Sequence, residues 1–162
     1  MSELSTQEFI DARAWLFPLG RKLSEEEVGG VVATLSDFVG SWSAHGAPLK
    51  AGIELLGSQI VSVYADESAV RASGCSIDKL IKEVEKVASS LGADLVRASH
   101  VIFWKDDESI AVPRETFQKL VKDGEIELST PVFDNTVTSL SEVRTGKWKR
   151  EFKDSWHARA FS

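Results

Sequence analysis

The stretch "LKAGIELLGSQIVSVYADE", residues 49–67, decides the fold. Leu49, Ala51, Ile53 and Leu55 alternate with Lys50, Gly52 and Glu54, which is strand period. The run from Gln59 to Glu67 is rich in β-branched residues and reads as a second strand. Gly57-Ser58 between them marks a hairpin. Parity then tests the register. A two-residue loop pairs Leu56 with Gln59 and puts Leu49, Ala51 and Ile53 on one face with Asp66, Tyr64 and Ser62. A three-residue loop pairs Leu56 with Ile60. It gathers Leu49, Ala51, Ile53 and Leu55 on one face with Glu67, Ala65, Val63 and Val61. A slip of one residue turns the whole apolar set over, so burial selects the second register. That register also sets Lys50 opposite Asp66, a favourable cross-strand pair.

Elements on either side follow from their own patterns. Before the hairpin, Ser5 with Glu8 and Ser24 with Glu27 are capping-box spacings. They predict two N-terminal helices, over about 5–17 and 24–39. Gly29 and Gly30 weaken the second by ~1 kcal/mol each relative to Ala. After the hairpin, Ile77, Leu80, Ile81, Val84, Val87, Ala88 and Leu91 mark one helical face, with Ser76 read as its N-cap. A second hairpin is expected near 99–104 and 109–112, followed by a helix from Pro113 to Gly124. A short strand over "TPVFDNTVT", a helix capped by Ser139 and a tail complete the order. This pattern predicts an α+β fold. It has a mainly antiparallel sheet built from two hairpins plus a further strand, with helices packed mainly on one face.

Composition narrows the class. A chain of 162 residues suggests a single domain. The net charge of −6 argues against broad nucleic-acid binding. No apolar run reaches the ~18–20 residues of a membrane span, so membrane insertion is not expected. The N-terminal segment does not read as a secretory signal, and a single cysteine excludes an intrachain disulfide. Together these favour a cytoplasmic protein.

The hairpin places its candidate chemistry at one end. His45 enters the first strand, Asp66 and Glu67 leave the second, and the helix bearing Cys75 and Asp78 begins soon afterwards. A thiolate is the reactive form of cysteine, and a helix N-terminus favours it. His45 would serve as its base. The plainer readings are a buried inert Cys75, a turn-forming His45, an Asp66 that answers Lys50 and an Asp78 that answers the helix dipole. No metal-ligand spacing such as C-x-x-C is present, and neither metal nor cofactor is expected. His100, among apolar neighbours in a strand, reads as structural.

The tail, residues 144–162, combines charge with aromatic rings. Within 144–159, six basic residues face two acids, a net +4 that leaves −10 on the remainder. Interleaved basic and aromatic residues can bind single-stranded nucleic acid. Docking of the aromatic residues on the body is favoured, because nucleic-acid binding needs a wider positive surface. Docking would also carry His157 toward the candidate site.

The series "SWSAHGAPLKA", "ADES", "SGCSIDK", "PVFDN" and "SWHARAF" resembles a family of small bacterial proteins of about this length, often labelled "ABC transporter ATPase". The resemblance runs from about Phe38 to the end. It includes Trp42, His45, Gly46, Asp66, Glu67, Gly74 through Asp78, Phe133, Asn135, Trp156 and His157. It adds Trp42 and Trp156 to the candidate binding residues and brings no catalytic assignment. The ATPase label fails a physical check. Ser141 stands where a P-loop ending at Gly146-Lys147 needs its first glycine, and Trp148 stands where it needs Ser or Thr.

The sequence therefore leads to a soluble cytoplasmic binding or accessory protein with a polar site near His45 and Cys75. Asp66, Glu67, Asp78, His157, Trp42 and Trp156 are its further candidate residues. Its partner is expected to be an unidentified small molecule or protein. The alternative is a small thiol-dependent enzyme with Cys75 as nucleophile, His45 as base and Asp66 or His157 as orienter.

Overall fold

A computed structural model describes residues 12–161. The elements run β1 (Arg13–Pro18), α1 (Glu25–Gly40), β2 (Ser43–Ala44), β3 (Ala47–Pro48), β4 (Lys50–Leu56), β5 (Ile60–Asp66), α2 (Gly74–Ser90) and β6 (His100–Lys105). They continue through β7 (Glu108–Pro113), α3 (Arg114–Lys122), β8 (Pro131–Phe133), α4 (Leu140–Arg144), β9 (Lys149–Glu151), a 3-10 turn (Phe152–Asp154) and α5 (Trp156–Ala160). The class is α+β, and all named strand pairs are antiparallel.

The β4–β5 hairpin takes the register that burial selects: Leu56 faces Ile60 and Lys50 faces Asp66. Val61, Val63 and Ala65 then point to one side and pack with Val31, Leu35 and Val39 of α1 and Leu80, Val84 and Ala88 of α2. Ile60 points to the other side and, with Leu16 and Leu56, meets Ile102, Trp104 and Phe133. Those three belong to a second sheet, ordered β7-β6-β8-β9, whereas the first is ordered β1-β5-β4. The far face of the second sheet, with Val101, Phe103 and Val132, packs on Phe117 of α3 and on Phe152 and Phe161. The layers are therefore α1/α2, first sheet, second sheet and α3/α5. The two hairpins divide between two stacked sheets because β5 is buried on both faces: Val61, Val63 and Ala65 on one, and on the other Ile60 against the second sheet and Tyr64 against Val137, Leu140 and Val143.

The helix expected over 5–17 is corrected where it can be compared. Arg13–Pro18 is a strand paired with β5, and residues 5–11 lie outside the described residues. The physical reason is two-sided burial. Trp15 and Phe17 join the α1/α2 core, while Leu16 packs on the opposite side. Alternation achieves this, and a single helical face does not. In α1 the capping box forms as predicted, with Ser24 accepting from Glu27 N–H and the Glu27 side chain accepting from Ser24 N–H. The basic and aromatic stretch after Arg144 becomes β9, the 3-10 turn and α5. Its Arg150 pairs with the buried Asp134 at 3.0 Å.

Where the two sheets meet, the buried Gln59 makes a polar tie. Its Nε2 donates to the Leu19 carbonyl at 2.9 Å and to Ser109 Oγ at 2.6 Å.

Two glycines give opposite expectations. Gly52 lies opposite Tyr64, and a Cβ there would come within 2.5–2.7 Å of the Tyr64 ring and hydroxyl. Gly52→Ala should lower unfolding stability by ~1–3 kcal/mol through overpacking. Gly29 is exposed on α1 with nothing near its Cβ position. Gly29→Ala should raise stability by ~1 kcal/mol. Urea denaturation of the two variants beside the parent checks both signs.

Candidate functional site

At the start of α2, Ser73 rather than Ser76 is the N-cap. Ser73 Oγ accepts from Ser76 N–H at 3.0 Å, and Ser76 Oγ accepts from Ser73 N–H at 2.7 Å. Two serines at this spacing both suit a capping box, and the reciprocal bonds select the earlier one. The shift moves Cys75 into the first helical turn, where it is exposed. Trp42 is buried, and its Nε1 donates to the Ser76 carbonyl at 2.8 Å, tying the segment before β2 to α2. His45 and Gly46 form the tip of the tight β2–β3 hairpin with φ of 54° and 77°. That geometry suits a two-residue hairpin turn and leaves His45 exposed.

The carboxylates of this region have local partners. Asp66 accepts from Ser68 N–H at 2.9 Å. That bond is the main reason its carboxyl lies below the usual range. Glu67 accepts from Ala72 N–H at 2.7 Å and stands 3.8 Å from Arg13. Asp78 pairs with Lys82 at 2.9 Å. No hydrogen bond joins Cys75 to His45 or to these acids among the described residues. No group of three His, Cys, Asp or Glu suited to a metal ion occurs among them either.

Trp156 and His157 belong elsewhere. They line a cleft of about 390 Å³ formed by β1, the segment 95–98, the start of β6 and α3, and residues 133–138. None of Trp42, His45, Asp66, Glu67, Cys75 or Asp78 lines it. The stretch "SWHARAF" therefore contributes to a cleft between the sheets, separate from the α2 end.

Every charged or titratable side chain among the described lining residues is basic or an imidazole: Arg97, Arg114, His100 and His157. Aromatic walls come from Phe133 and Trp156, whereas Trp15 and Phe17 border the cleft along the β1 edge and send their rings to the α1/α2 core. Trp156 Nε1 donates to Asn135 Oδ1 at 3.1 Å, and Arg114 stands 5.7 Å from the Trp156 ring centroid. The His157 ring stacks on Trp156 at 3.9 Å and lies 5.9 Å from Phe117. His157 is 2% exposed, and its Nδ1 has no hydrogen-bond partner among the described residues. Burial lowers its pKa to about 4, with Asp134 opposing and Arg114 reinforcing the shift. The imidazole is therefore neutral at neutral pH.

Sequence reasoning named Trp156 and His157 but missed His100, Arg97 and Arg114. His100 looked structural because it begins an apolar strand. The two arginines lie in a connecting segment and at the first residue of α3, without a local motif. No family model, curated protein or solved structure matches the chain.

The buried imidazole sets a pH dependence. The unfolded chain binds a proton at His157 below pH ~6.5, whereas the folded chain does so only near pH 4. Between these values the unfolded state holds more protons, so stability should fall as pH falls. The loss linked to this group should be ~2 kcal/mol, allowing for partial solvation of the charged form. Denaturation at pH 4.5 and 7 should show a smaller difference for His157→Leu than for the parent.

Proposed function

We propose that this chain is a soluble, cytoplasmic binding protein whose ligand is a small organic anion held in the cleft between the sheets. The observation that carries this reading is the lining. The cationic side chains Arg97 and Arg114 line it with two imidazoles and aromatic walls, and no carboxylate shares the described lining. Guanidinium groups pair with carboxylate or phosphate oxygens through charge-assisted bonds, and the rings cover an apolar body. A volume near 390 Å³ lies within the usual range of ligand pockets. His157, neutral at neutral pH, offers a hydrogen bond rather than a charge.

The reading keeps the binding role expected from the sequence and moves its centre from the α2 end to the cleft. The alternative, a thiol-dependent enzyme, draws support from the exposure of Cys75 on the first turn of α2. It has no imidazole hydrogen-bonded to the thiol among the described residues, and a Cys–His mechanism requires such a base.

Titration with benzoate and phenylacetate, followed by tryptophan fluorescence and calorimetry, tests the proposal. Both acids should bind, and benzyl alcohol should bind at least about tenfold more weakly, a difference of ~1.4 kcal/mol. Arg114→Gln should weaken the acids by about tenfold or more, the loss of one charge-assisted bond. Cys75→Ser and His45→Ala should leave their binding unchanged. Acids that bind no better than the alcohol would remove the anion reading. Loss of binding in Cys75→Ser would return the site to α2.

A further inference from the structure

The outer edge of β1 is closed at both ends and open in the middle. Ala14 N–H donates to the Thr138 carbonyl at 2.9 Å, and the Pro18 carbonyl accepts from Val96 N–H at 2.9 Å. Isolated bridges between Arg13 and Ser139 and between Leu19 and Leu95 mark these two ends. In an antiparallel ladder, alternate residues turn both backbone groups away from the partner strand. Ala14 does so, and Leu16, two residues on, shares its phase. The N–H and C=O of Leu16 therefore face away from β5, and no backbone partner meets them among the described residues. This open stretch is a wall of the cleft, whose lining includes Ala14 through Pro18. Unpaired strand edges are templates for a further strand.

We propose that the cleft receives the C-terminal residues of an extended peptide, which adds a short strand to β1 at Leu16 and sets its terminal carboxylate among Arg97, Arg114 and His100. This rests on the anion reading above and names the class of anion. Two independent observations meet here. The lining supplies cations without a described acid, and the edge supplies one donor and one acceptor at strand spacing. At ~3.4 Å per residue the opening between the bridges takes about three peptide residues. Main-chain bonds to Leu16 would fix the register. Alternate side chains of the ligand would face the second sheet near Ile102 and Phe133, where apolar groups are favoured.

The probe is a tetrapeptide library, Ac-Xaa-Xaa-Xaa-Leu, offered to the full chain as free acids and as C-terminal amides. Binding is followed by calorimetry and by amide hydrogen exchange resolved by residue. Free acids should bind at least about tenfold more tightly than their amides. Exchange at the Leu16 amide should slow on binding by a similar factor, while the Trp15 and Phe17 amides, directed at β5, are protected before and after. Leu16→Pro removes the cleft-facing N–H, a loss an edge strand tolerates, together with the Leu16 side chain that packs between the sheets, so it should fold with lowered stability and lose peptide binding. If Leu16→Pro fails to fold, exchange at Leu16 in the parent decides. No binding from the library, equal binding of acids and amides, or unchanged exchange at Leu16 would each overturn the proposal. Benzoate that still binds when no peptide does would overturn strand addition and leave the anion reading standing. Loss of both would remove both.

Discussion

The double burial of β5 is the constraint on which the molecule depends. Ile60 through Ala65 are all buried, with neighbours on both edges and layers on both faces. A strand with large side chains to bury on both sides cannot stay at a half-solvated surface, because each uncovered apolar side chain costs ~1.5–3 kcal/mol of transfer free energy. One face is satisfied by α1 and α2. The other requires a second layer: the sheet of β6–β9 covers Ile60, and Val137 with Leu140 and Val143 of α4 covers Tyr64. The four-layer order follows from that requirement.

The same packing explains where a cleft can exist. The sheets touch through Ile60, Ile102 and Phe133 with Leu16, Leu56, Trp104 and Trp148 around them. Toward the outer edge of β1 the chain is completed by short connections, the 95–98 segment on one side and residues 135–138 on the other. Connections of this kind carry binding groups on a rigid frame. Arg97 and Asn135 come from them, while His100, Arg114 and His157 come from the first residues of regular elements. The α5 residues are anchored by Phe117 and Phe161, whose rings surround His157, so the imidazole is held by packing rather than by a hydrogen bond at Nδ1.

The legibility of the sequence varied with how local each signal was. The β4–β5 register could be read by parity because one face of the hairpin had to be consistently apolar. The α1 capping box was equally local. In β1, "AWLF" is a contiguous apolar run, which periodicity alone cannot assign. The capping-box spacing of Ser5 and Glu8 favours a helix there. The strand character of β1 comes from β5, some forty-five residues on, and no local pattern holds that information. The cleft was harder still. His157 and Trp156 stood out in an aromatic and basic stretch, but their companions Arg97, His100 and Arg114 are each unremarkable in context and meet only through the stacking of sheets. At α2, the choice between Ser73 and Ser76 rested on two chemically identical candidates, and reciprocal backbone bonds resolved it.

Gln59 adds what apolar contact between the sheets lacks. Hydrophobic faces attract without direction, so two flat apolar layers could glide past one another by a fraction of a side chain at little cost. The amide of Gln59 grips the Leu19 carbonyl in its own layer and the Ser109 hydroxyl in the next. Any translation of one layer would break a buried polar contact. Gln59, at the turn of the hairpin, thus acts as a dowel between two boards and adds to the backbone bonds that close the two ends of the opening beside β1.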